Sequence, residues 1–253
     1  MKRKIIIIFL SLMLFSTSCS GDENNSTSSQ TTTPLISTPV TLDFNSYTYI
    51  ATINSAPTQV KIYEQPSESS EVINQLEHPR KIAGATETID LVFTLIDNDT
   101  LPQGWLNVNL PIRPNGSTGW IKSDIVELSS TLYRIEIDKD NFNLKVLYDN
   151  DIILDTPVAI GNGDTPTPDG QFYITELLDS ELNEAYGPFA YGLSGYSESL
   201  KEFKGVDAII GIHGTNDPAS IGTNVSHGCI RVDNEIITAM TEYLPIGTPV
   251  EIL

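Results

Sequence analysis

Two of the three histidines and one of the two cysteines fall in one short stretch, His213 to Arg231, which reads HGTNDPASIGTNVSHGCIR. A thiol is a strong nucleophile only as thiolate, so a working cysteine needs a neighbouring base or a positive local field. Acyl transfer also needs backbone donors aimed at the oxyanion that develops on the attacked carbonyl. Gly228, just before Cys229, lets the main chain come close to a substrate and turn its N–H groups inward. His213 follows the apolar run Ala208–Ile212, which reads as a buried strand, and a strand end is rigid enough to hold a base. The alternative is a buried structural thiol beside hydrogen-bonded structural histidines. Ser-His-Gly-Cys is polar and glycine-flanked, however, which is poor material for a core. Either histidine could be the base on sequence alone. His227 shares the side of Cys229 in an extended segment, whereas His213 comes from another strand.

The stretch resembles the active-site signature of the L,D-transpeptidases, the YkuD-like family: His213-Gly214, a spacer, then Ser226-His227-Gly228-Cys229-Ile230-Arg231. The resemblance covers about residues 131–253. It implies a peptidoglycan cross-linking enzyme with Cys229 as nucleophile, His213 as proton donor and acceptor, and the Gly214 carbonyl orienting the imidazole. Cys229 would attack the carbonyl of the third residue of a tetrapeptide stem and release D-alanine. The acyl group would then pass to a side-chain amine of a neighbouring stem, giving a 3→3 cross-link. His227 and Gly228 are expected to shape the oxyanion pocket, and Ser226, Arg231 and Tyr191 to bind substrate. Arg231 occupies a place where the family varies. Two other readings stay open: an L,D-carboxypeptidase hydrolysing the same acyl-enzyme, and a non-catalytic wall-binding lipoprotein. No cofactor is expected, and no metal, because three histidines without a ligand-spaced cluster offer zinc nothing.

The chain must also carry this stretch to its place of work. Lys2, Arg3 and Lys4 precede the apolar run Ile5–Phe15, and small residues then lead to Cys19, the pattern of a secretory signal peptide. The run is too short for a spanning helix. Ser16-Thr17-Ser18-Cys19 resembles a bacterial lipobox, with Ser16 standing where Leu is usual. Residues 1–19 are therefore expected to be a lipoprotein signal peptide with Cys19 lipidated, against plain secretion with cleavage near Cys19. With Cys19 used at the membrane, Cys229 has no disulfide partner in an exported chain. Residues 20–41 are mostly Ser, Thr, Asn and Gln and read as a flexible tether. Loss of Lys2, Arg3 and Lys4 takes the net charge from −19 to −22, and no basic patch offers nucleic acid a surface. The expected setting is the cell envelope, with stem peptides and the membrane, through a lipid anchor, as partners and a monomer as the working state.

The overall expectation is a mostly β protein with few helices, in two domains. Within residues 42–128, short alternating segments at Gln59–Tyr63, Leu91–Ile96, Trp105–Leu110 and Gly119–Val126 read as strands, with turn clusters at Asp97–Asp99 and Arg113–Gly116. Gly104-Trp105 and Gly119-Trp120 each open a strand, and this resembles the bacterial SH3-like domain, a small barrel often fused to wall-acting enzymes. Tryptophans that simply fill the barrel core are the alternative to a wall-binding role. His78, beside Pro79, is expected at the surface. These strands hold no nucleophile–base pair, so a fragment starting near Ser130 is expected to keep activity on small soluble stems.

Residues 131–253 are expected to form the β-rich catalytic domain. Leu132–Asp138, Asn143–Tyr148 and Ile152–Ile160 read as strands joined by turns at Asp140-Asn141 and Asp149–Asp151, an antiparallel sheet. Gly161–Gly170 holds Thr165-Pro166-Thr167-Pro168, too rich in proline for a strand. Residues 179–206 read as one long loop, a lid or binding loop, whose aromatics Tyr186, Phe189, Tyr191 and Tyr196 could instead fill the core. Asp233 is expected to N-cap a helix through about Tyr243, with Ile236, Met240, Tyr243 and Leu244 on one face. Pro245–Leu253 supplies the last strand.

Overall fold

The computed structural model describes residues 47–54, 57–82, 88–96, 102–179, 184–203 and 205–253. The expected signal peptide, Cys19, the tether and the Asp97–Asp99 turn cluster lie outside the described residues. Alternation of apolar and polar side chains between Thr48 and Thr131 produces β1 (Thr48–Ile53), β2 (Gln59–Tyr63), β3 (Val72–Glu77), β4 (Arg80–Lys81), β5 (Thr88–Ile89), β6 (Val92–Thr94), β7 (Trp105–Asn109), β8 (Thr118–Lys122) and β9 (Val126–Thr131). They form sheets of order β6-β1-β9 and β3-β2-β8-β7 and a small β4-β5 ladder. Their inward faces make one core that includes Ile53, Val60, Ile62, Phe93, Val108 and Ile121. Neither tryptophan belongs to that cluster. Trp105 is buried at its margin against the ring of Tyr63, 5.1 Å between centroids, and Trp120 is half-buried. His78 corrects the surface expectation: it is buried, and its Nδ1 accepts the Leu91 N–H at 3.3 Å. A polar ring can be buried when a backbone donor satisfies it.

No linker separates the two halves. Thr131 at the end of β9 pairs with Thr48, and β10 (Tyr133–Asp138) starts two residues on, so the expected domain edge falls inside a strand. The described residues after Thr41 form one compact unit with two cores.

The second core is built on an eight-stranded sheet of order β12-β11-β10-β21-β14-β15-β18-β20. Its strands are β10, β11 (Asn143–Tyr148), β12 (Asp151–Pro157), β14 (Gly170–Asp179), β15 (Phe189–Tyr196), β18 (Ile209–His213), β20 (Ile230–Arg231) and β21 (Pro249–Ile252). Short ladders pair β13 (Ile160–Gly161) with β19 (Asn224–Ser226), and β16 (Glu202–Phe203) with β17 (Val206–Asp207). Ile135, Ile137, Leu144, Ile174, Ile212, Ile230 and Val250 are wholly buried in one core, which also takes in Ile237 and Met240 of the helix α1 (Asn234–Met240). Each such side chain contributes roughly 1.5–3 kcal/mol relative to exposure. The carboxylate of Asp233 accepts the Glu235 N–H at 3.0 Å and starts α1. The helix stops at Met240, before the expected Tyr243, and its buried side chains are Ile237 and Met240.

Two expectations for this half change. The run read as one strand from Ile152 to Ile160 is two, β12 and β13. The larger change is β15: the middle of the expected lid, Phe189–Tyr196, is a buried strand between β14 and β18. Its glycines explain the misreading. A Cβ at Gly192 would lie 2.5 Å from Glu176 Oε1, and one at Gly195 2.5 Å from the ring of Phe172. The gaps that break the periodicity hold side chains of the neighbouring strand.

Candidate active site

Strands β18 and β20 lie parallel, with Ile212 opposite Ile230 and His213 opposite Arg231. The two isoleucines anchor this pair in the core, so His213 and the residue before Ile230, Cys229, are carried to the same end of the sheet. Both line a cavity of about 430 Å³, with Tyr186, Phe203, Ser226, His227 and Arg231 among its other walls. That is the size of an ordinary small-ligand cleft.

His213 is buried, and its Nδ1 lies 2.6 Å from the carbonyl oxygen of Gly214. A carbonyl only accepts, so Nδ1 carries the proton and Nε2 keeps its lone pair. Gly214 has no room for a side chain, because a Cβ there would stand 2.3 Å from Asn234 Oδ1. The same Oδ1 accepts the Thr215 N–H at 2.8 Å, so the first residue of α1 fixes the turn that aims the imidazole. Burial pushes the His213 pKa down to about 4, against the raising pull of the Gly214 carbonyl and with help from the Arg231 charge. The imidazole is therefore neutral at neutral pH and able to take a proton.

The cysteine loop is held by hydroxyls. Ser226 Oγ donates to the Cys229 carbonyl at 2.5 Å and accepts the Gly228 N–H at 3.1 Å. Thr167 Oγ1 donates to the Gly228 carbonyl and accepts the Gly161 N–H, both at 2.8 Å. Thr165 Oγ1 reaches the Ser226 carbonyl at 3.3 Å. Gly228 turns the chain with φ of 117°, and a Cβ would stand 2.9 Å from Ile210 Cδ1. Cys229 itself is partly accessible. Burial raises its thiol pKa, while the facing Gly211 N–H and the Arg231 charge lower it. The thiol thus keeps its proton at rest.

These contacts redistribute the expected roles. Ser226 borders the cavity, but its hydroxyl is committed to the loop. The Gly228 N–H is already donated, which corrects its expected place in the oxyanion pocket, whereas among the described residues the Cys229 N–H meets no acceptor. His227 is exposed and lies against the Phe203 ring at 5.2 Å. Tyr191 is wholly buried in the core, and its hydroxyl has no partner among the described residues. Arg231 lines the cavity with a buried Nε that is likewise unpartnered there.

Tyr186, read from the sequence as an aromatic of a lid or binding loop, stands at the cavity, while Gly211, Thr165 and Thr167 escaped sequence reasoning. Tyr186 sets its ring edge on the His213 imidazole at 4.6 Å between centroids. Its hydroxyl pKa is raised by burial and by the nearness of Cys229. Gly211 offers its N–H to the sulfur, and Thr165 and Thr167 brace the loop. The Thr-Pro-Thr-Pro phrase was the available signal for the last two.

The second half of the chain is similar to known proteins. The YkuD family, described as an L,D-transpeptidase catalytic domain, matches residues 132–252. Bacillus subtilis YkuD, which bears the name L,D-transpeptidase, is 37% identical over 121 residues, 47% of this chain and 65% of that protein. Bacillus subtilis YqjB, of the same naming, is 33% identical over 123 residues, 45% of this chain and 67% of that protein. The aligned part thus spans about two thirds of these relatives. Among solved structures, Bdellovibrio bacteriovorus Bd1075 is 26% identical, covers 49% of this chain and 48% of its own, and has a TM-score of 0.40. The chain belongs to the YkuD family and carries an L,D-transpeptidase catalytic domain.

Proposed function

We propose that the chain is a peptidoglycan L,D-transpeptidase whose reaction runs through a thioester on Cys229. His213 Nε2 takes the thiol proton as Cys229 Sγ attacks the carbonyl of the third residue of a tetrapeptide stem. The Cys229 N–H is the nearest open donor for the oxyanion. Collapse breaks the peptide bond, and the imidazolium returns its proton to the nitrogen of the departing D-alanine. An amine of a second stem then attacks the thioester, loses a proton to His213, and leaves Cys229 as thiol. Arg231, with its unpartnered Nε on the cavity wall, suits a substrate carboxylate. The observation that carries this reading is a neutral imidazole, aimed by the Gly214 carbonyl, in the same cavity as a free thiol. Export and tethering through a lipid on Cys19, with residues 20–41 as spacer and an SH3-like module before the catalytic domain, complete the proposal.

The test is incubation of the chain from Ser20 onward with purified tetrapeptide stems, followed by weighing the products. A dimer one D-alanine lighter than two stems is expected. Free tripeptide without dimer would mean hydrolysis, and unchanged stems would overturn the proposal.

A further inference from the structure

The cavity has a lining residue from outside the catalytic half. Ile82, which follows β4, is buried and forms part of its wall beside Glu176 and Leu178. The same short element holds its neighbour in place. Arg80 Nη2 pairs with the Glu176 carboxylate at 2.7 Å and reaches Thr175 Oγ1 at 3.4 Å. Burial raises the Glu176 pKa and Arg80 opposes it, so the ion pair is what makes a carboxylate tolerable on that buried wall.

A second set of contacts runs from the loop after β7 to the end of β15. Arg113 Nη1 donates to the Ser197 carbonyl at 2.7 Å, and its Nη2 donates to the carbonyls of Leu200 at 2.9 Å and Lys201 at 3.3 Å. Its guanidinium also covers the Tyr196 ring, 4.8 Å from the centroid. Asn115 pairs with the main chain of Tyr196 in both directions, each bond 2.9 Å. The Tyr196 hydroxyl returns to the Pro111 carbonyl at 2.8 Å, and the Tyr173 hydroxyl to that of Asn109 at 3.2 Å. The clamped segment leads directly into β16, whose Phe203 lines the cavity and lies against His227, two residues from the nucleophile.

We infer that the amino-terminal module is a working part of the catalytic cleft: it supplies one wall through Ile82 and positions another, the Phe203 hairpin, through Arg113 and Asn115. Its role is selection by size and shape of what reaches Cys229. Arg113, Asn115 and Arg80 are positioning residues, since they act through Phe203 and Glu176. The inference rests on the proposed use of Cys229, and it reverses the expectation that a fragment from Ser130 keeps its activity on small stems. Such a fragment lacks Ile82 and leaves the hairpin unclamped.

The experiment uses the chain from Ser20 onward, unaltered and as Ile82→Ala, Arg113→Ala and Arg113→Lys. Two maleimides of the same reactivity and different bulk, N-methylmaleimide and pyrenylmaleimide, are reacted with Cys229, and the ratio of their rates is read. Removing methylenes from an apolar wall changes discrimination about tenfold or more. Ile82→Ala is therefore expected to raise the pyrenyl-to-methyl ratio by about that factor, with the methyl rate little changed. Arg113→Ala is expected to raise it as well. Arg113→Lys should follow the alanine variant, because one ammonium cannot reach three carbonyls. Arg113 is exposed, so both cores survive its loss, and melting curves verify this. Ratios unchanged in both alanine variants would overturn the inference. Turnover of tetrapeptide is measured alongside: an unaltered chain that processes no stem refutes the proposed function, while the maleimide ratio still decides the role of the module.

Discussion

The two sides of the cleft are built in different ways. On the side of Cys229, Ser226, Thr165 and Thr167 hold the main chain at 226–229 with neutral hydrogen bonds, and all three side chains are buried. The wall formed by Ile82 and Phe203 depends instead on Arg80 and Arg113, partly open to solvent and reaching across from the other core. Neutral buried bonds are insensitive to salt, and breaking one leaves an unpaired group at a cost of about 1–3 kcal/mol. The exposed Arg113 contacts are screened and each contributes little, whereas the largely buried Arg80–Glu176 pair costs more to break. In the proposed reaction the side that does chemistry is thus rigid by construction, and the side inferred to select substrate is adjustable.

The largest effect expected on the nucleophile side is that of His213→Ala. Loss of a general base costs about 10²–10⁴-fold in rate, so acylation by a stem peptide should fall by that factor while Tyr186→Phe, beside it, loses far less. Stopped-flow acylation rates check this, and His227→Ala falling further than His213→Ala would hand the role of base to His227.

The buried imidazole also makes stability depend on pH. Its folded pKa of about 4 lies below the ordinary value of 6.5, so the unfolded chain binds more protons between those values. Stability therefore rises with pH through that window and is flat above it, and the acid-side loss amounts to about 3 kcal/mol. Urea unfolding at several pH values should show His213→Gln losing less stability on acidification than the unaltered chain. Equal slopes would mean that His213 is not held neutral.

Thr167→Val probes the brace at constant shape. It removes the partner of the Gly228 carbonyl and of the Gly161 N–H, and a destabilisation of about 1–3 kcal/mol is expected from the urea midpoint. Salt gives the smallest effect and sharpens the contrast. Between low salt and about 1 M, where screening reaches within about 3 Å, KM for a stem peptide should rise a few-fold, while N-methylmaleimide labelling of Cys229 stays constant.

How much of this was legible depends on how local the cause is. Cys229 and its two candidate bases were readable because the chemistry fixes residue types within one stretch, while the choice of His213 and the role of the Gly214 carbonyl came from the family resemblance. Strand β2 was readable because Val60 and Ile62 alternate with exposed neighbours. Strand β15 was not, because Gly192 and Gly195 answer to Glu176 and Phe172, side chains of another strand. Ser226 was assigned to the substrate and Gly228 to the oxyanion pocket, since nothing in the sequence shows a hydroxyl turning back onto its own loop. Ile82 and Arg113 carried no signal at all: their meaning arises only when two cores share a border.

If the acyl group rides on Cys229, intact-mass spectrometry of the chain mixed with a tetrapeptide stem detects it directly. A transient adduct heavier by the stem less D-alanine is expected, mapping to Cys229 on digestion and absent from Cys229→Ala. An adduct undiminished in that variant, or mapping to another residue, would contradict acylation at Cys229.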